Sequence, residues 1–180
     1  MLWEQSMQFQ PGAFLIKPAE QDWERRQAMA MRRQVFCEEQ GLFAGDDRDA
    51  VDDHARLLVA VTLLGGMSDQ VVGTVRIHER TPGTWYGSRL AVARSLRRHA
   101  GLGSGLIELA VRSAHGLGAR VFLAHVQSQN VPLFERLHWH SLEQVQLHGR
   151  PHAFMRADLG CYPPLDAARS VLTVLHRQVA

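Results

Sequence analysis

One segment of the chain combines a cation, closely spaced glycines and the start of a helix. It runs from Arg98 through Gly101, Gly103 and Gly105, and it follows a short apolar run at residues 90–92. Small residues let backbone N–H groups approach an anion, and the first N–H groups of a helix have no partner inside it. The segment therefore predicts a seat for a phosphate or pyrophosphate group.

The type of phosphate ligand is narrowed by what surrounds the glycines. A Walker loop requires Gly-Lys-Ser/Thr, and no lysine follows Ser104 and Gly105. A dinucleotide site requires an acidic residue at the end of the next strand, which here ends on His125 and Val126. On this motif alone, a glycine-rich helix start that binds no ligand remains an alternative interpretation. The nearby arginines favour a polyanion, because clustered cations repel one another unless an anion or water separates them. They are Arg94, Arg97 and Arg98.

The elements that position this segment follow from hydrophobic periodicity and turn residues. Their order is β-α-β-β-β-α-β-α-β-β, which predicts an α/β fold with a mixed sheet, because hairpins alternate with helical crossovers. A last amphipathic helix is expected over residues 165–179, after Pro163-Pro164. Strands are expected at 13–17, 56–64, 70–78, 84–92, 121–126, 141–147 and 152–159, and helices at 23–40, capped by Asp22, and at 103–117 and 132–137.

Size and composition indicate an ordinary globular domain. The 180 residues are 46% hydrophobic and 21% charged, and the net charge of +2 is too small to suggest nucleic acid as a partner. Two cysteines make no disulfide framework, and no signal peptide or membrane-spanning run is visible, so a cytoplasmic location is expected. The ten histidines lack the spacing of a zinc site, and we expect no metal.

These motifs resemble those of the GNAT superfamily of N-acetyltransferases. Residues 90–92 followed by Arg98-x-x-Gly101-x-Gly103 are similar to its acyl-CoA motif, and residues 134–139 are similar to its Tyr-x-x-x-Gly-Phe segment. That second segment departs at three places, where this chain has Phe134, His138 and Trp139. Residues 32–40, with the acids and His54 that follow, resemble a subset that includes acyl-homoserine-lactone synthases. Residues 126–130, 148–152 and 162–164 resemble a narrower bacterial subgroup linked to nitrogen or nitrilase gene clusters.

The resemblance implies a GNAT-like mixed sheet of about six to seven strands with flanking helices. Residues 1–160 would form the acyltransferase domain, and residues 161–180 a C-terminal helical tail that packs on the domain or on a second subunit of a homodimer. Acetyl-CoA, or another acyl-CoA, would be the cosubstrate, and a small-molecule amine the acceptor. The implied cosubstrate-binding residues are Leu90, Ala91, Val92, Arg97, Arg98, Gly101, Leu102, Gly103, Ser104, Gly105, Asn130 and Phe134.

Direct attack of an amine on the thioester would require a general base, and a general acid could protonate the leaving thiolate. The family's usual general acid is a tyrosine, and this chain has Phe134 at that position. The thiolate would then be protonated by Ser128 or by water, or would leave without a proton donor. Loss of turnover is a second possibility, which leaves a CoA-binding sensor, and an acyl-homoserine-lactone-like synthase is a third. The preferred bases are Glu39, His54, His78 and His152, and the wider set adds Asp52, Asp53, Glu79 and His125. Arg76 is expected to pair with an acid or to bind an acidic substrate, and Trp85, Tyr86 and Trp139 are expected to pack.

Overall fold

The protein is built around one mixed sheet of eight strands. The structure, a computed structural model, describes residues 13–98, 101–166 and 171–175. The strands are β1 (Ala13–Pro18), β2 (Arg56–Leu64), β3 (Met67–Thr81), β4 (Thr84–Val92), β5 (Val121–Gln127), β6 (Trp139–Leu147), β7 (Arg150–Ala157) and β8 (Leu172–Leu175). The helices are α1 (Asp22–Arg33), α2 (Leu102–Gly116) and α3 (Val131–Arg136). The strand order is β6-β7-β5-β4-β3-β2-β1-β8, and β4 and β5 form the parallel pair.

The predicted order of elements from β1 to β7 is confirmed. The predicted C-terminal helix is wrong within the described residues, because Leu172–Leu175 is a strand that pairs antiparallel with β1. That strand raises the total to eight, one or two more than expected. The first helix is capped by Gln21, not Asp22, and its last turn, Gln34–Glu39, is π-helical.

Helices cover the two faces of the sheet unequally. α2 and α3 pack on one face, and the core there includes Leu106, Phe122 and Phe134. α1 packs on the other face, against β2 and the first half of β3. On this α1 side, the β5 and β7 half of the sheet carries no helix among the described elements. The exposed part of the sheet therefore lies on the α1 side, over β5 and β7.

Two glycines allow the close packing of α2. A Cβ at Gly73 would come 2.8 Å from Leu106 Cδ1, so the side chain of α2 sits directly on the β3 backbone. A Cβ at Gly116 would come 1.8 Å from the carbonyl oxygen of Leu165. The chain after β7 crosses the end of α2 at that point, where the amide of Leu165 donates to the carbonyl of Arg112.

Candidate active site

The parallel strands β4 and β5 part halfway along their length. They pair at Thr84 with Val121, Trp85 with Phe122 and Tyr86 with Leu123, and no described main-chain pair joins them beyond that point. β5 continues along β7, whereas β4 continues along β3. A gap therefore opens between residues 87–92 and 124–127, and main-chain groups of either strand that face it have no partner on the other strand. Such groups are available to an extended ligand.

A bulge in β4 lies beside this gap. The β3–β4 register shifts between Thr74 and Arg76, so β4 carries one extra residue there. Arg89 lies in the bulge with φ +56°, in the left-handed region that non-glycine residues seldom adopt. Its guanidinium lies 4.4 Å from the ring centroid of Phe43. No sequence signal marked Arg89, because only glycine would have indicated a positive φ.

Arg89 belongs to a closed ring of alternating charges, which we call the charge ring. It joins α1, β3 and β4 to the loop at residues 46–53. Its contacts are Arg32–Asp47 (2.8 Å), Asp47–Arg89 (2.9 Å), Arg89–Asp49 (3.2 Å), Asp49–Arg76 (2.6 Å), Arg76–Asp52 (2.8 Å) and Asp52–Arg32 (2.6 Å). The side chains of Arg32 and Asp47 are fully buried. Of the two roles expected for Arg76, the structure shows pairing with acids, although these lie on the loop at residues 46–53 and not across the sheet.

The arginines keep the ring carboxylates ionised. Burial alone would raise the pKa of Asp52, but hydrogen bonds from Arg32, the Asp49 amide and Arg76 outweigh it and hold the pKa well below its usual range. The hydrogen bond from Arg76 likewise lowers the pKa of Asp49. Buried charges of one sign are costly unless paired, and here every charge has two opposite neighbours. The ring therefore fixes the loop and the β4 bulge as one unit.

The predicted anion seat lies at the start of α2. Gly101 caps the helix with φ +105°, a conformation that favours glycine, and α2 begins at Leu102. Among the described residues, a Cβ at Gly103 would meet nothing within 4 Å, so none of them fills the space outside this turn. Arg98 is exposed next to it, and His99 and Ala100 lie outside the described residues. The helix N-terminus, the open position and the exposed cation make a site that suits a pyrophosphate.

Arg97 is already engaged within the protein. Its Nε donates to the carbonyl of Val92 at 2.9 Å, and its guanidinium pairs with the Glu39 carboxylate at 2.6 Å. This pair ties the last turn after α1 to the loop that precedes α2. The structure therefore brings two predicted site residues together as an ion pair.

The exposed half of the sheet carries a continuous row of rings, which we call the aromatic row. On β5, Phe122, Ala124 and Val126 enter the core beneath α2, so His125 points to the α1 side. His125 stacks on Phe154 at 4.7 Å, and Phe154 stacks on Tyr86 at 6.3 Å. The row continues through His78 to His54, each step 5.8 Å between ring centroids. Tyr86, expected to pack, is only half-buried in this row.

The segment after α1 reaches across the gap to the far strands. The Gln127 side chain on β5 donates to the Gln40 side chain at 2.9 Å, and Arg150 on β7 donates to the Gln40 carbonyl at 2.7 Å. Further along, Phe43 packs on His148 of the β6–β7 turn at 4.6 Å. These contacts form a wall beside the gap. Gln40 and Gln127 belong to the motifs of the resemblance, but the sequence assigns them no role in the site, since a glutamine carries no chemical signal of its own.

The other predicted residues are spread around the gap. His152 is buried on β7, and its Nδ1 lies 2.9 Å from the Arg150 carbonyl. Ser128 and Asn130 lie in the short 3₁₀ turn that ends β5. Phe134 is buried and packs edge-to-face on Trp139 at 5.0 Å, as a core residue. Burial raises the pKa of the neighbouring Tyr162 to about 12, and its hydroxyl donates to the Leu137 carbonyl.

Metal-binding groups are not assembled in this region. Over residues 13–98, 101–166 and 171–175, no three His, Cys, Asp or Glu side chains come together in a way that could hold a metal ion.

Comparison with known proteins adds a family match and a set of similar folds. The model of the acetyltransferase (GNAT) family matches residues 17–139. No curated protein matches the chain. A Lactobacillus plantarum structure, provisionally named an N-acetyltransferase, is 22% identical with a TM-score of 0.70, and the match covers 80% of this chain and 97% of that one.

Two further structures are similar in fold. An aminoglycoside 6'-N-acetyltransferase complexed with coenzyme A is 13% identical, with a TM-score of 0.63 and coverage of 78% and 94%. The AHL synthase LasI is 14% identical, with a TM-score of 0.62 and coverage of 82% and 90%. At these identities the similarity concerns the fold alone. None of the comparisons supports the narrower subgroup linked to nitrilase clusters.

Proposed function

The chain belongs to the GNAT acetyltransferase family, and from that premise we propose that it transfers an acetyl or other short acyl group from acyl-CoA to a small-molecule amine. The proposal rests on the positions of the start of α2 and of the aromatic row relative to the gap between β4 and β5. The gap between β4 and β5 leads from the N-terminus of α2 to the aromatic row. A ligand with a pyrophosphate and a long flexible arm suits such a path.

The residues around α2 and β4 fit the donor. The amides of Leu102, Gly103 and Ser104 open the helix and have no intrahelical partner, so they would bind the pyrophosphate together with Arg98. Leu90, Ala91 and Val92 line the gap and would hold the pantetheine arm through main-chain groups. Gly105 lets the first turn close on Gly101, while Arg97, Asn130 and Phe134 would shape the remaining walls.

The proposed chemistry is direct transfer. The acceptor nitrogen attacks the thioester carbonyl, a C–N bond forms, the C–S bond breaks and CoA leaves as the thiolate. The nitrogen loses its proton to a base on the protein or to water. A β4 amide that faces the gap would stabilise the charge that develops on the carbonyl oxygen. Phe134 offers no hydroxyl to the thiolate, which would take its proton from Ser128 or from water.

A thiol-release assay tests the proposal. With acetyl-CoA and a panel of primary amines, at least one amine is expected to release CoA thiol and to gain the mass of an acetyl group. Tight CoA binding without release across a broad panel would instead favour a CoA-binding sensor, for which the buried Phe134 is the supporting observation. A donor other than acyl-CoA, identified by mass, would favour a homoserine-lactone-like synthase.

The Glu39 pair gives a prediction about catalysis. Glu39→Gln is expected to keep kcat within about threefold, because the carboxylate is occupied by Arg97 and serves as a link between two segments. The KM for acetyl-CoA is expected to change more than kcat, since Arg97 borders the donor seat. Steady-state kinetics of Glu39→Gln and of the exposed neighbour Glu38→Gln measure this. A hundredfold loss of kcat in Glu39→Gln alone would make Glu39 the base.

The proposal includes a bacterial cytoplasm as the place of action, where acyl-CoA is available and free thiols persist. Cys37 and Cys161 are both unpaired. No helix in the described ranges is long and apolar enough to cross a membrane. A homodimer and the domain limits of residues 1–160 remain predictions.

A further inference from the structure

The proposed function leaves the proton acceptor undecided among several residues of the site. We propose that His125, on the α1-side face of β5, is the general base that takes the proton from the acceptor amine. This inference rests on the proposed transfer reaction and names a residue within that same site.

The position of His125 matches the role. Leu123 is the last β5 residue paired with β4, and His125 follows it by two on the same face. Its ring therefore lies where the gap opens, at the level of Ser88 on β4. An amine that approached the thioester through the gap from the α1 side would meet this imidazole first.

The ring of His125 is oriented and available. It stacks on Phe154 with 25° between the ring planes, which fixes its tilt over the sheet. Within the described residues, neither ring nitrogen has a hydrogen-bond partner, and the side chain is exposed. A base that is held in orientation and free of competing partners suits proton abstraction.

The alternatives are less suited by their contacts. The Glu39 carboxylate is paired with Arg97. The His152 ring is buried, and its Nδ1 is engaged by the Arg150 carbonyl. His78 lies on β3, separated from the gap by β4, between the rings of His54 and Tyr86. His152 instead lies diagonally beside His125 on the same face of the sheet.

The surroundings of His125 favour its neutral form. Partial burial lowers its pKa below the usual value, and His152 from β7 and Arg80 from β3 lower it further. Glu143 from β6 opposes them. A neutral imidazole accepts a proton, whereas an imidazolium does not.

The reaction step balances with this assignment. The acceptor N–H proton moves to an imidazole nitrogen of His125 as the C–N bond forms, and the C–S bond breaks to release thiolate. The imidazolium then returns its proton to solvent, while the thiolate takes one from water. No oxidant, reductant or metal is required.

The test uses the full chain, acetyl-CoA and an amine that the wild type acetylates. His125→Gln is expected to lower kcat by about 100-fold to 1,000-fold, because positioned bases contribute rate factors of this order. The Kd for CoA, measured by calorimetry, stays unchanged in His125→Gln.

The pH profile and chemical rescue test the role of the imidazole. In the wild type, kcat falls as the pH drops below the usual histidine range, and this decrease, the acid limb of the profile, is missing in His125→Gln. Added imidazole partly restores His125→Ala. The control His140→Gln, an exposed imidazole on β6, keeps full activity.

Each result decides the assignment. A His125→Gln enzyme that keeps both its kcat and its acid limb overturns His125 as the base and leaves the transferase proposal intact. A wild-type protein that binds CoA but acetylates no amine overturns the transferase proposal itself, and the base assignment with it. Loss of kcat without imidazole rescue, with the acid limb retained, would give His125 only a positioning role and also overturns the proposal.

Discussion

Gly103→Glu is expected to abolish CoA binding. The glycine opens the first turn of α2 toward free space, so a side chain is accommodated there without a clash. A carboxylate at that point would occupy the positive end of the helix and repel the pyrophosphate. We expect the Kd for CoA to rise at least about 100-fold, equivalent to about 2.7 kcal/mol. Isothermal titration calorimetry measures it.

A matched substitution separates charge from size. Gly103→Gln has the same length without the charge and is expected to weaken CoA binding much less than Gly103→Glu. Both variants should melt near the wild type, because Gly103 has an ordinary φ and an open surrounding. Unchanged CoA affinity in Gly103→Glu would remove the pyrophosphate from the start of α2.

Asp47→Asn is expected to be the most destabilising single change in the charge ring. Asp47 is fully buried and accepts hydrogen bonds from both Arg32 and Arg89. Without its charge, the buried guanidinium of Arg32 keeps only one carboxylate neighbour, Asp52. Breaking a buried ion pair by removal of one partner costs about 3–5 kcal/mol. Urea unfolding of the variant and the wild type measures the loss.

Asp46→Asn is the control, because its carboxylate is exposed and outside the charge ring. The unfolding midpoint of Asp46→Asn should match that of the wild type.

The charge ring also predicts how the free energy of unfolding depends on pH. The pKa values of Asp49 and Asp52 are lowered in the folded protein, so their stabilisation is complete above the unfolded value near 3.9 and is lost as pH falls through the folded values. Asp52→Asn should flatten this dependence. If the free energy of unfolding fell equally with falling pH in Asp52→Asn and in the wild type, this prediction would be contradicted.

The glycine-rich start of α2 could be predicted from the sequence because its parts are contiguous; its role as the donor site stays a prediction. The glycines at 101 and 103 and the preceding arginines lie within ten residues of one another, and the start of the helix depends on local backbone geometry. The alternation of hairpins and crossovers likewise predicted the order of strands through β7. These features can be predicted because they depend only on residues that are close together in the sequence.

The remaining features depend on distant pairings. The charge ring joins Arg32 to Asp47, Arg76 and Arg89 through contacts that no spacing motif encodes. The C-terminal segment was interpreted as an amphipathic helix, although Val171 and Thr173 favour a strand; the unpaired edge of β1 decides the outcome. Packing is expected of Tyr86, and its ring stacks between His78 and Phe154 but stays half-buried, because no described helix covers that part of the sheet.

The gap between β4 and β5 lies between two different faces of the sheet, one covered by α2 and the other carrying the aromatic row. In the proposed reaction the donor would approach from the start of α2 and the amine from the aromatic row, so neither would have to depart before the other arrived. A single synthetic compound that joins a CoA moiety to an amine would engage both sides at once. Its affinity would then exceed that of either half by the effective concentration that the tether confers.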